Sequence, residues 1–141
     1  MSDTHGLGGA LDALRASPAW ASFGFRERSR SADAVELELE HAERWVQPEG
    51  VLHGGTLSAL MDTAAVALLY ADLPRELGLT SIEFKLNFIG PARAEGGPVV
   101  ARSERVRAGR RVQLAQVSVH QDERELARGL FTYLVLERDK A

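Results

Sequence analysis

The chain has 141 residues, of which 45% are hydrophobic and 26% charged, and this is the size and composition of one soluble globular domain. A net charge of -3 argues against a nucleic-acid-binding surface, which needs an excess of Lys and Arg. The absence of cysteine excludes disulfides, thiolate nucleophiles and sulfur-ligated metals.

The first 33 residues are predicted to form an N-terminal segment with one short helix. Ala10 to Ser17 carries its leucines on one side and ends before Pro18. The aromatic residues that follow, Trp20, Phe23 and Phe25, are expected either to cover an edge of the core or simply to pack in it. The start does not resemble a secretory signal, and no uninterrupted apolar run reaches the roughly 18 residues of a membrane span. We therefore expect a cytoplasmic protein with no membrane partner.

The main domain is predicted to begin with a strand and a long helix. Val35, Leu37 and Leu39 alternate with glutamates, which predicts a strand with one face in water. From Val51 to about Asp72, apolar residues recur at spacings of three and four, which indicates a helix on a hydrophobic surface. Its predicted buried stripe is Leu57, Leu60, Met61, Ala64, Ala65, Leu68 and Leu69.

Four strands are predicted after the helix, at Thr80 to Ile89, Val99 to Arg107, Val112 to His120 and Leu126 to Leu136. In the first of them strict alternation places Ser81 on the opposite face from Phe84 and Phe88. Short turns join the last three strands. An apolar helix followed by such a meander predicts an α+β fold over residues 34–141, with an antiparallel sheet wrapped around the helix.

Two features of the long helix do not fit a purely structural role. Asp62 lies in its middle, where no cap needs a carboxylate and burial is costly. Gly54 and Gly55 stand at its start, where the absence of side chains leaves backbone N–H groups open to a ligand. A helix start of this kind near an unexplained carboxylate is a candidate reaction site.

These residues also resemble a known family. Gly50-x-x-His53-Gly54-Gly55, then Asp62, a strand with Ser81 and the run PheIleGlyProAla at 88 to 92 are similar to the hotdog-fold acyl-CoA thioesterases of the phenylacetyl-CoA thioesterase type. The resemblance covers about Val35 to Leu136. It implies a hotdog fold, in which two protomers pair edge to edge and the active site lies between them, as a homodimer or homotetramer.

The resemblance also implies roles for individual residues. Asp62 would be the nucleophile or general base, Gly54 the backbone donor to the thioester carbonyl, and His53 a positioning residue. Ser81 would lie near the attacking water. The family usually has Asn six residues before its His, and this position is Gln47 here, which keeps the amide but adds a methylene.

Physical chemistry supports a divided site without the resemblance. Attack on a thioester builds negative charge on the carbonyl oxygen, which the N–H groups of a helix start can stabilise. At about 1.5 Å of rise per residue, Asp62 lies roughly 12 Å along the helix from Gly54. A second chain is therefore expected to bring the two together.

The substrate is expected to be an acyl-CoA, so that coenzyme A is part of the substrate and no separate cofactor or metal is needed. Arginine clusters suit its phosphates because the guanidinium donors are forked. A solvated charged turn is an equally good interpretation of these arginines. The candidate substrate-binding residues are Gly55, Met61, Thr63, Phe88, Arg107, Arg110 and Arg111.

Two other functions remain open at this point. One is a hotdog enoyl-CoA hydratase or dehydratase, although the sequence patterns of those enzymes are absent. The other is a binding module that holds acyl-CoA without turnover, which the Gln47 substitution keeps open. Individual residues also have structural alternatives, since Asp62 could cap a loop and His53 could merely hold one.

Overall fold

The structure is a computed structural model that describes residues 9–40 and 43–138. Residues 1–8, which belong to the predicted N-terminal segment, lie outside the described residues, as do 41–42 and 139–141. One six-stranded sheet wraps around one long helix, and every pair of neighbouring strands is antiparallel. The predicted α+β arrangement of sheet and helix is confirmed.

The helices are α1 at Gly9–Arg15, α2 at Pro18–Phe23 and α3 at Gly54–Leu69. The strands are β1 at Phe25–Arg30, β2 at Ala34–Leu39, β3 at Leu77–Phe88, β4 at Val99–Ala108, β5 at Val112–Gln121 and β6 at Arg124–Glu137. Across the sheet the order is β1-β2-β4-β5-β6-β3, so that β1 and β3 are its two edges.

The core lies between the concave face of the sheet and α3. All seven residues of the predicted apolar stripe are buried, and so are Val35, Leu37 and Leu39 on β2. The helix packs mainly against β2, β4 and β5 and makes few contacts with β3. By length and apolar composition, Gly54–Asp72 is the one stretch of the described chain that could span a membrane, but half of it is buried inside the fold, as in the core helix of a soluble protein.

Two elements of the N-terminal segment differ from the sequence prediction. A second helix, α2, was not predicted, and it begins at Pro18. Ser17 is its N-cap, and Gly24 has the left-handed conformation at its end. Phe25 then begins β1, so the sheet starts inside the segment that was predicted to precede it. The aromatic residues pack in this corner, where Phe23 stacks on both Phe25 and Trp45.

A third difference concerns β3. The pairing of β3 with β6 shifts by one residue between Ser81 and Glu83, which is a β-bulge. As a result Ser81 lies opposite Tyr133 and Phe84 lies opposite Phe131. Tyr133 and Phe131 are two residues apart and both buried, so Ser81 shares the inner face with Phe84. The strict alternation predicted for this strand is therefore wrong at Ser81.

Candidate active site

The start of α3 is capped by a side chain, which the sequence interpretation missed. His53 is the N-cap, and its Nδ1 accepts a hydrogen bond of 2.9 Å from the Gly55 N–H. An accepting Nδ1 carries no proton, so the imidazole proton of the neutral ring lies on Nε2. Among the described residues no group accepts a hydrogen bond from the Gly54 N–H. Both glycine amides were predicted to be open to a ligand, and only that of Gly54 is.

Rings lie close to both glycines, so a side chain at either position needs the neighbouring ring to shift. A Cβ on Gly54 would lie 3.1 Å from Cζ of Phe88, and a Cβ on Gly55 would lie 2.9 Å from the His53 ring. The predicted substrate-binding residue Phe88 thus lies directly against the helix start. The glycines let one ring cap the helix and another pack on it while the Gly54 amide stays uncovered.

Two backbone hydrogen bonds bring Gln47 close to the start of α3. The His53 N–H donates to the Trp45 carbonyl and the Gln47 N–H donates to the Val51 carbonyl, both at 2.8 Å. A cleft of about 390 Å³ opens beside these hydrogen bonds. Its lining consists of Phe23, Arg44, Trp45, Val46, Gln47, His53, Gly55 and Thr56.

A second cleft, of about 310 Å³, lies on the other side of the helix start. Gly54 and Phe88 line it together with the loop that follows β3. The start of α3 is therefore reached from two sides, and the predicted residues Gln47, His53, Gly54, Gly55 and Phe88 all surround it.

Asp62 is held by a buried tyrosine. The Tyr133 hydroxyl donates to Oδ1 of Asp62 at 2.5 Å, and its oxygen lies 3.2 Å from the Asp62 carbonyl oxygen. Tyr133 is 1% exposed, whereas Asp62 is half-buried. Burial raises the pKa of the Asp62 carboxyl above its ordinary value, and the hydrogen bond from Tyr133 offsets part of this effect.

Tyr133 is a residue of the candidate site that the sequence interpretation missed. It is on β6, 71 residues from Asp62 in the sequence. The available signal was a tyrosine among inward positions of β6 that are otherwise non-polar, because a buried phenol needs a hydrogen-bond partner. The partner could not be identified without the register of the sheet.

Comparisons with known proteins place this chain in a family. A family model described as the acyl-CoA thioesterase N-terminal domain matches residues 41–134, about two thirds of the chain. This chain belongs to that thioesterase family. The predicted enzyme class, a thioester hydrolase with a hotdog fold, is confirmed.

Individual relatives agree with the family assignment. A Haemophilus influenzae protein with the provisional name esterase is 30% identical over 118 residues, which cover 82% of this chain and 83% of the relative. The crystal structure of a thioesterase family protein from Silicibacter pomeroyi is 27% identical, with a TM-score of 0.84 over 93% of this chain and 98% of that one.

A third relative bears on the family branch suggested by the sequence. It is a protein from Ralstonia eutropha described as phenylacetic acid degradation-related and provisionally as a thioesterase. It is 26% identical to this thioesterase, with a TM-score of 0.80 over 89% of this chain and 99% of that one. The predicted resemblance to this kind of hotdog thioesterase is confirmed.

The remaining predicted site residues lie apart from the helix start of the same chain. Met61 is 0% exposed in the core, so its position offers no surface to a substrate and argues against the predicted contact. Thr63 is half-buried, next to Asp62 on α3. Arg107, Arg110 and Arg111 are exposed at the hairpin between β4 and β5.

The register of the sheet separates this hairpin from Gly54. Val112 at the hairpin pairs with Leu134, which pairs with Thr80, whereas Phe88 at the helix start is at the other end of β3. Within one chain the arginines therefore lie on the Asp62 side of the sheet. Within 9–40 and 43–138, no three His, Asp or Glu side chains are grouped closely enough to hold a metal ion.

Proposed function

We propose that this thioesterase hydrolyses an acyl-CoA to a carboxylic acid and free coenzyme A in a site shared by two protomers. Asp62 of one protomer acts as general base or nucleophile, and the Gly54 N–H of the other binds the thioester carbonyl oxygen. The proposal goes beyond the family assignment, which does not specify the residues, the assembly or the substrate.

The observation that carries the proposal is the placement of Asp62 and Gly54 on one open stripe of α3. The helix residues that are not fully buried on this side include Ser58 and Ala59, which lie midway between Gly54 and Asp62. If a second α3 crosses antiparallel at this midpoint, the twofold axis puts each Asp62 opposite the partner's Gly54. The small side chains at the crossing allow the helices to approach closely.

The edge strand β3 supports the same assembly. Ile82, Phe84, Phe88 and Ile89 are 46–59% exposed on or just after this strand. An edge with unpaired backbone groups and apolar side chains is a surface suited to pair with another strand. Pairing of β3 with the β3 of a second copy would extend the sheet and cover the part of its inner face that α3 leaves open. A dimer is the smallest assembly that meets this need, and two dimers could form a tetramer.

The chemistry then follows from charge. Oδ2 of Asp62 accepts no hydrogen bond from the described residues, so it is free to take a proton from water or to attack the carbonyl directly. The Gly54 N–H and the partial positive charge of the helix start stabilise the oxyanion. Collapse of the tetrahedral intermediate breaks the carbon–sulfur bond and releases the coenzyme A thiolate. After direct attack by Asp62, water then hydrolyses the resulting acyl anhydride to the carboxylic acid and restores the carboxylate. No cofactor enters this scheme.

Other predicted residues have supporting places in the proposal. The Nε2–H of His53 and the Gln47 amide can donate to the substrate or the attacking water in the larger cleft. Ser81 lies opposite Tyr133 on the inner face, within the same region as Asp62. Arg107, Arg110 and Arg111 are proposed to bind the coenzyme phosphates from the hairpin.

A proline substitution tests the oxyanion donor. Gly54 is the first residue of α3, where proline is well tolerated, and His53 has the extended conformation that precedes proline readily (φ -61°, ψ 132°). Gly54→Pro removes the N–H and adds side-chain atoms, whereas Gly54→Ala adds only a Cβ and keeps the N–H. We expect kcat to be lower in the proline variant than in the alanine variant by about 100-fold. Equal rates in the two variants would reject this role of the amide.

Mixed dimers test the shared site. Asp62→Asn and Gly54→Pro chains, each inactive alone, are expressed together with different affinity tags. If the site is shared, each mixed dimer contains one intact pair of Asp62 and Gly54. Half of the dimers in a random mixture are mixed and each has one of its two sites intact, so the mixture should show about a quarter of the wild-type activity. A site built within one chain would give no recovery, and the divided arrangement would then be wrong.

A further inference from the structure

The inner face of the sheet carries one polar row where it meets Asp62. Gln113 on β5, Tyr133 on β6 and Ser81 on β3 are cross-strand partners, and we call them the polar row. The neighbouring inward positions of β5 and β6 are apolar: Ala115, Val117, Phe131 and Ala127 are all buried. Gln113 and Tyr133 are buried in this surface, whereas Ser81 on the edge strand is exposed. Burial of two polar side chains side by side is unfavourable unless they serve a polar group.

Tyr133 makes the contact between this row and α3. Its hydroxyl is placed between Oδ1 of Asp62, at 2.5 Å, and the carbonyl oxygen of the same residue, at 3.2 Å. A phenol has one proton, and Oδ1 is the nearer and more strongly charged acceptor. The ring is fixed because Tyr133 is 1% exposed in the core. The hydroxyl therefore has one position, and it binds only one carboxylate oxygen.

From this geometry we propose that Tyr133 is a positioning residue for Asp62. It holds Oδ1 and thereby directs Oδ2 away from the sheet, toward the exposed side of α3. It also supplies a hydrogen bond that keeps the carboxylate ionised in a partly buried position. This inference rests on the proposed function, because it assigns Asp62 as the reacting group.

Other charged groups that face α3 are too far along the helix to replace this contact. Arg30 on β1 donates to the Ala67 carbonyl, and Arg105 on β4 pairs with Asp72 and reaches the Leu68 carbonyl. These contacts lie more than one turn beyond Asp62. His53 lies more than two turns before it. The inward positions of β2 at Val35, Leu37 and Leu39 are apolar, so within the described chain Tyr133 is the polar group that acts on Asp62.

The first test removes the hydroxyl and keeps the ring, in Tyr133→Phe. Loss of the hydrogen bond removes the contribution that lowers the pKa of Asp62, so its carboxyl should titrate at higher pH. The acid limb of kcat/KM should move to higher pH in parallel. We expect kcat/KM to fall by roughly tenfold below the limb and by less on the plateau, since a hydrogen bond to a charged group is lost. Tyr70→Phe is the matched control, because Tyr70 accepts from the Leu79 N–H and does not contact Asp62.

The second test strengthens the hydrogen bond without risk to packing. The chain has two tyrosines, so incorporation of 3-fluorotyrosine into the Tyr70→Phe protein labels Tyr133 alone. A more acidic phenol is a stronger donor, and the acid limb should move to lower pH, opposite to the effect of phenylalanine. A merely structural tyrosine would lower the rate equally at all pH values and leave the limb in place.

The titration of Asp62 is also followed directly, by the carboxyl carbon signal of labelled aspartate, with Asp62→Asn for assignment. An Asp62 titration that is the same in wild type and Tyr133→Phe overturns the positioning role. A wild-type protein that hydrolyses no acyl-CoA overturns the proposed function instead, and the carboxyl signal still decides whether Tyr133 controls Asp62. The two failures are therefore distinguishable.

Discussion

The Asp62 carboxylate has a position that is unfavourable for the fold. It sits in the middle of a core helix, half-buried, with the Tyr133 hydroxyl as its described hydrogen-bond partner. Burial raises the pKa of this group, which means that the folded state binds a proton more tightly than the unfolded state. Ionisation of Asp62 above that pKa therefore destabilises the folded protein, in the pH range where the proposed reaction needs the carboxylate.

This leads to a prediction for Asp62→Asn. At neutral pH the variant should be more stable than wild type, because the amide carries no charge and still accepts from Tyr133. The advantage should shrink as pH falls through the raised pKa of Asp62 toward its ordinary value, since wild type then becomes neutral as well. Activity should fall by about 10²–10⁴-fold at every pH. Thermal melts and rate measurements from about pH 4, near the ordinary pKa of an aspartate, up to about pH 8 check this. A variant less stable than wild type at neutral pH would contradict it.

His53 caps α3 and has a proposed role toward the substrate, and substitution can separate the two. Its Nδ1 caps the Gly55 amide, while Nε2 remains for the cleft that Gln47 also lines. His53→Ala should lower the free energy of unfolding by about 1 kcal/mol, the usual effect of a lost N-cap. Asparagine is a good N-cap, so His53→Asn should recover this stability.

The activity of the same pair decides whether His53 also acts on substrate. If Nε2–H contacts the substrate, His53→Asn should remain slow although it is stable. Urea unfolding and steady-state rates measured on both variants provide the comparison. Full activity in His53→Asn would leave capping as the whole role of this residue.

At the scale of elements, the sequence predicted most of the fold because its signals were local. The apolar stripe of α3 and the alternation in β2 follow from which face of each element is buried. Strand β1 escaped prediction because two of its inward residues, Glu27 and Arg30, are charged. At the edge of the sheet they pair with each other, and Arg30 also donates to the Ala67 carbonyl, so the apolar alternation is absent.

The site was predictable to a similar extent. His53, Gly54, Gly55 and Asp62 lie in one segment, and their pattern was visible in the sequence. Tyr133 and the bulge at Ser81 depend on which strand pairs with which residue, and this is a long-range property. The capping by His53 was missed because histidine is an uncommon N-cap and the glycines suggested an uncapped start.

The end of α3 is stabilised from the sheet by two arginines. Arg30 and Arg105 donate to the carbonyls of Ala67 and Leu68, where the helix dipole is negative. Arg105 also pairs with Asp72 at 2.8 Å. These contacts fix the last turn of the helix that carries Asp62.

We therefore expect Arg105→Ala to lower the free energy of unfolding by about 1 kcal/mol, with kcat nearly unchanged. The effect should persist in moderate salt, because the Arg105 side chain is only 15% exposed. Arg124→Ala, which replaces an exposed arginine at the first position of β6, is the matched control and should be neutral. Chemical unfolding at two salt concentrations measures both, and equal stability of the two variants would show that Arg105 does not support the helix end.

At the scale of the whole molecule, the single chain exposes one apolar edge of its sheet, at β3. Helix α3 covers β2, β4 and β5, while β3 has apolar side chains in water and an unpaired edge. The other edge, β1, is protected by charged residues such as Arg26 and Arg28, which pair with Glu38. The two edges thus differ in a way that favours association through β3 and opposes it through β1. The same association is what the divided site requires.

A lysine on β3 should therefore disrupt assembly and activity together. Ile82 on β3 and Val106 on β4 are each 54% exposed, but β4 lies inside the sheet, between β2 and β5. Ile82→Lys introduces a charge at the proposed contact, which should give a monomer in light scattering and reduce kcat/KM by at least about 100-fold, because each monomer holds half of a site. Val106→Lys makes the same change at equal exposure and should keep at least a dimer with normal activity. Circular dichroism and melting of both variants establish that they are folded. A folded, monomeric Ile82→Lys protein with wild-type activity would show that one chain contains the complete site.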